Sequence, residues 1–143
     1  MEENNEKKFS DIIEDFIKAL DISIADLERI GALFLTFGYS NFFRGANLDI
    51  MDALDINNTG ESPDEVTLFG QQLVLIGYTF LYIVSVKRIE EKAFINANTE
   101  EKINLSPYKR IADAYFISVF ANSIRVQAFA EIANANNGGE FIE

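Results

Sequence analysis

This chain of 143 residues contains no cysteine, no histidine and no tryptophan. Without cysteine there can be no disulfide and no thiolate-bound metal. Without histidine the chain lacks the commonest general base, the commonest metal ligand and the usual pH switch. Basic residues are few, 12 against 23 acids, for a net charge of −11. The one relatively basic stretch, Lys87–Arg110, is diluted by Glu90, Glu91, Glu100 and Glu101. Nucleic-acid binding needs a concentrated basic face, because phosphate contacts supply most of the affinity, so none is expected. The opening Met1-Glu2-Glu3-Asn4-Asn5-Glu6 lacks the basic start and apolar centre of a secretory signal, and a cytoplasmic setting is expected. Frequent Ile, Asn, Phe and Lys suit an AT-rich bacterial or phage genome.

Strand alternation is missing too, and no repeat of 20–50 residues occurs. What is present is helical spacing. Phe9, Ile12, Ile13, Phe16, Ile17 and Leu20 recur at three- and four-residue steps, predicting an amphipathic helix over about 6–20. Asp21-Ile22-Ser23 reads as an interruption, with Ser23 as N-cap and Asp26 in the first turn. A second helix is predicted over 24–44, either ending at Gly45 as a C-cap or continuing to 55 with Gly45 inside it. The turn-rich Ile56–Glu61 follows. Ser62-Pro63-Asp64-Glu65 then has the form of a capping box with proline at the first helical position, opening a helix over 63–97. Ser106-Pro107 opens the last helix, 107–135, in the same style. Together these signals predict one all-α domain over 1–143, an elongated bundle of four main helices, with frayed ends at about 1–5 and 137–143.

Small residues recur every seven positions: Gly31, Gly38 and Gly45; Gly70 and Gly77; Ala114, Ala121, Ala128 and Ala135. A glycine inside a helix costs roughly 0.5–1 kcal/mol relative to alanine. That cost makes sense where small side chains let two backbones approach closely. The seven-residue spacing therefore predicts a glycine- and alanine-lined packing seam with a left-handed supercoil.

Residues 67–86 carry no charge, long enough to be read as a membrane span. Gln71, Gln72, Gly70, Gly77, Thr79, Tyr82 and Ser85 raise the cost of inserting it, and a helix apolar all round equally suits the centre of a soluble bundle. Its two apolar faces are Val66, Phe69, Leu73, Ile76, Phe80 and Ile83 on one side, and Leu68, Leu75, Tyr82, Val86 and Ile89 on the other. One slender chain covers both with difficulty, so a homodimer is expected. Gln71, Gln72, Asn122 and Arg125 are the polar residues placed to fix register or partner choice within these apolar helices.

Chemical motifs are sparse. Asp55–Gly60 resembles the start of a calcium loop, but Val66 occupies the position that needs a bidentate Glu. Asp49, Asp52 and Asp55 share a helix stripe that reads as solvated. No nucleophile elbow and no phosphate-binding glycine loop occurs. No catalytic residues, metal or cofactor are expected. The reading is a non-catalytic, self-associating helical protein acting through protein contacts as scaffold, adaptor or regulator. The alternative is a membrane-associated protein inserting 67–86.

Overall fold

The computed structural model describes residues 2–136, with side chains from Lys7 onward, so the ends expected to fray lie outside the residues described with side chains. Three helices account for almost all of it: α1 (Glu2–Ala53), α2 (Pro63–Asn98) and α3 (Ser106–Asn136). The fold class is all-α, with three helices where the sequence pattern suggests four. The difference lies at Asp21-Ile22-Ser23, which α1 crosses without a break. None of these residues is a strong helix breaker. The Ser23 hydroxyl donates back to the Leu20 carbonyl instead of capping a new helix. Ile24 directly after it is fully buried and anchors this part of α1. Gly45 also lies inside α1, and only Leu54 and Asp55 follow before the loop.

The α1 terminus is a Schellman motif. Asp55 takes the left-handed conformation with φ 57°, its N–H donates to the Asp52 carbonyl, and the Ile56 N–H donates to Met51. The following loop is organised by Asn57. Its side-chain amide donates to Asp52 Oδ1 and to the Glu61 carbonyl, while its Oδ1 accepts from the Thr59 N–H and hydroxyl. Ser62 stands at the N-cap of α2 with extended backbone, and Pro63 follows, but the serine hydroxyl makes no cap bond. The first α2 bond runs from the Val66 N–H to the Ser62 carbonyl. At α3 the entry is made by Asn104, whose Oδ1 accepts the Ser106 N–H. The serine expected to cap α3 is already inside it.

The order is up, down, up, with α2 in the middle. Both α1 and α3 pack on α2, while α1 and α3 share no backbone-level approach among the described residues. They meet through side chains, as where Phe42 and Phe129 place ring centroids 6.3 Å apart. At 1.5 Å per residue α1 is about 78 Å long and α2 about 54 Å. Residues 13–17 of α1 lie beside Ile95 near the far end of α2, so the start of α1 extends past it.

Candidate interaction surface

Glycines draw α1 onto α2. A methyl group added at Gly38 would lie 2.6 Å from Val74 Cγ2 and 2.8 Å from the Gly70 carbonyl oxygen. One added at Gly77 would lie 2.8 Å from the Leu35 side chain and 2.9 Å from the Gly31 carbonyl oxygen. Gly31 in turn faces Phe80, Leu81 and the Gly77 carbonyl, and Gly45 faces Thr67 and Pro63. Backbone oxygen this close leaves no room for Cβ, which is why the helices can tolerate glycine here.

The alanine series behaves differently. Ala114 and Ala128 are exposed and Ala121 is half-buried. The α3 residues turned inward are Ala112, Val119, Asn122, Val126 and Ala133, of which Ala112, Asn122 and Ala133 are buried. Seven-residue spacing occurs in both series. The bulk of Tyr115 and Phe116, which tilt against Tyr78 and Tyr82, helps set which series faces α2.

The polar residues singled out from sequence also divide. Gln71 is buried on α2 and donates through Nε2 to Asn122 Oδ1 on α3 at 2.8 Å. Asn122 donates onward to the Ser118 carbonyl, and Arg125 reaches Asn122 Oδ1 at 3.5 Å. Gln72 is exposed elsewhere on α2 and joins none of them. Sequence reasoning missed Glu91, which is 1% exposed. Its Oε2 lies 3.2 Å from both Arg88 Nη1 and Lys92 Nζ, and Arg88 also binds Asp21 of α1. The hydrogen bond and charge of Arg88 hold the Asp21 carboxyl below its usual value of 3.8. In sequence this cluster is an ordinary charge run. Only the helical phase that turns Glu91 toward α1 distinguishes it from Glu90.

Two clefts flank these contacts. One, of about 230 Å3, has Leu81, Val84, Ser85 and Arg88 as its floor, with Glu28 on one wall and Tyr108, Ile111 and Tyr115 on the other. The other, wider and open at about 700 Å3, lies between Phe9, Ile13 and Ile17 of α1 and the α2–α3 connection. Among the described residues no group of three or more carboxylates converges as a metal site would require.

The dominant feature of the surface is apolar. Phe69, Ile76 and Ile83 of α2 are exposed at seven-residue intervals, on the side turned away from α3. The same side of α1 exposes Ile30, Leu33 and Phe37. Stacked rings of Phe34 and Phe80, 5.8 Å apart, form the floor between the two helices. On the outer side of α3, Ile117, Phe120 and Ile124 are exposed. The chain exposes 10022 Å2 in all. A compact monomer of 16.1 kDa would expose about 7,400 Å2. Comparison with family models, curated proteins and solved structures finds no match for this chain.

Proposed function

We propose that the chain is a non-catalytic, self-associating helical protein that works through protein contacts, as a scaffold, adaptor or regulator. The observation that carries this reading is the surplus of roughly 2,600 Å2 over a compact monomer, with large apolar side chains prominent in it. Elongation alone raises surface area but leaves it polar. Here phenylalanine and isoleucine occupy exposed positions on all three helices. Burying apolar surface stabilises an assembly by about 25 cal/mol per Å2, and closed homodimers are the commonest way chains bury it. Sedimentation equilibrium in detergent-free buffer tests the reading. The expected result is a single species of at least two chains; a monomer at micromolar concentration overturns it.

A membrane setting is the second reading, and one observation favours it. Among the described residues α2 alone is long and apolar enough to cross a bilayer, and only 39% of its most apolar stretch is buried. Charge-free stretches on α1 (30–43) and α3 (114–124) lie beside it, since Gly38 faces Gly70 and Asn122 faces Gln71. These flanking belts are short: about 20 Å on α1 and about 16 Å on α3 at the helical rise, against a hydrocarbon core of about 30 Å. Self-association is therefore the preferred reading. Fractionation with a carbonate wash separates the two, and retention in the washed membrane pellet would reverse the order.

A further inference from the structure

Building on the self-association reading, we infer that the face shared by α1 and α2 on the side away from α3 is an isologous dimer interface. Its occupant is a second copy of this chain, related by a twofold axis perpendicular to the helices.

Three observations converge on this face. The first is its composition. Ile30, Leu33 and Phe37 on α1 and Phe69, Ile76 and Ile83 on α2 are exposed around the stacked Phe34 and Phe80. On α2, Phe69, Gln72, Ile76, Thr79 and Ile83 follow the alternating three- and four-residue steps of a two-helix seam.

The second observation is the arrangement of charge at its rim. Going around the face, Arg44 and Glu65 mark the end near the α1–α2 loop, and Asp26 and Lys87 mark the other. Asp26 and Arg44 each stand nine positions from Leu35. Glu65 and Lys87 each stand eleven positions from Ile76. Leu35 packs beside Gly77, so both stripes are centred at one level of the molecule. A single perpendicular twofold at that level brings Glu65 toward Lys87 of the second copy, and Asp26 toward Arg44. It also brings Phe69 toward Ile83 and sets Ile76 against itself. Arg44 already holds Glu61 and Arg29 already holds Asp26 within the chain. The rim charges therefore act on register and encounter more than on affinity.

The third observation is area. A standard interface takes about 800 Å2 from each partner, and obligate dimers take more. The surplus of the whole chain amounts to about three such shares, and the exposed apolar residues of this face contribute part of it. The face is also free of charge across its centre, as the desolvated middle of an interface requires.

The absence of cysteine makes the test clean. Ile76→Cys, oxidised in dilute solution, is expected to give a disulfide-linked dimer, because the axis brings the two copies of this position within bridging distance. Ile117→Cys on the outer side of α3 is expected to stay uncrosslinked. In sedimentation equilibrium, Ile76→Asp is expected to weaken the dimer at least about a hundredfold, since two like charges would be buried at the axis. Ile124→Asp is expected to leave it intact. Ile76 is exposed in the protomer, so circular dichroism of Ile76→Asp should match the parent.

A monomeric parent chain overturns both this assignment and the self-association reading. An oligomeric parent that Ile76→Asp leaves above one chain, or an Ile117→Cys crosslink without an Ile76→Cys crosslink, overturns the face alone. Where both aspartate variants dissociate, the disulfide decides: no bridge at Ile76→Cys sinks the assignment.

Discussion

Gly38 and Gly77 set how closely α1 approaches α2, because each abuts a carbonyl oxygen of the opposing backbone as well as a side chain, Val74 at Gly38 and Leu35 at Gly77. Gly77→Leu must push against Leu35 and the Gly31 carbonyl. The expected loss is about 1–3 kcal/mol, read from the urea midpoint, although leucine is the better helix former. An unchanged or higher midpoint would mean that the helices part without cost. Glu91 acts through charge. Glu91→Gln leaves Arg88 and Lys92 facing a neutral amide, and both are about four-fifths buried. The expected loss is about 2 kcal/mol, below the range for fully buried pairs because both cations keep some solvent. Asp21 provides a pH-dependent test. Its folded carboxyl titrates below its unfolded value because Arg88 stabilises the anion. Its contribution is fully present above the unfolded value and is lost as pH falls through the folded one. Asp21→Asn should therefore flatten the fall in urea midpoint between about pH 5 and pH 2, most visibly at low salt because Asp21 lies at the surface. Equal acid limbs in the two proteins would refute that contribution.

At the scale of helices, α1 stays continuous because local signals for a break are outweighed by contacts on both sides of it. Ile24 is buried, Asp21 is held by Arg88, and Phe16 lies 5.1 Å from Phe94. A serine N-cap stabilises a helix start by about 1 kcal/mol, less than burying one large apolar side chain supplies. Between α2 and α3 the specific contact is Gln71 to Asn122. Replacing Gln71 alone by leucine leaves Asn122 Oδ1 without its donor from α2, with an expected loss of about 1–3 kcal/mol. Replacing both by leucine should recover much of that loss, since two apolar groups of similar shape need no partner. A double-mutant cycle on urea midpoints measures the coupling. A coupling near zero would show that the hydrogen bond contributes nothing to the α2–α3 pairing.

At the scale of the whole molecule, α2 is covered by α1 on one side and α3 on another, and its remaining face stays open. Three helices flanking one another in this way cannot enclose a core from all directions, so buried apolar residues are few and Ile24 and Val74 stand out among them. In the proposed dimer a second copy closes that face and adds to stability. If the partner is a second copy, the melting temperature must rise with protein concentration, because mass action favours the assembled folded state. Differential scanning calorimetry over a hundredfold concentration range measures this. A Tm independent of concentration is the expected behaviour of a folded monomer instead.

The sequence determined the class of structure and much of its punctuation. Three- and four-residue spacing made the chain helical. Pro63 fixed the start of α2, and the glycine heptads marked positions that face a neighbouring backbone. These signals are local, since periodicity, a missing N–H and a missing Cβ act wherever the chain goes. Tertiary structure decided what depends on a partner helix. It carried α1 through Asp21-Ile22-Ser23, turned Ala112 and Ala133 inward while leaving Ala114 and Ala128 exposed, separated Gln71 from Gln72, and buried Glu91 but not Glu90. Neighbouring residues on a helix point about 100° apart, so which of them meets another helix depends on the rotation of the whole element. That rotation is set by the sum of its contacts, which no local pattern contains.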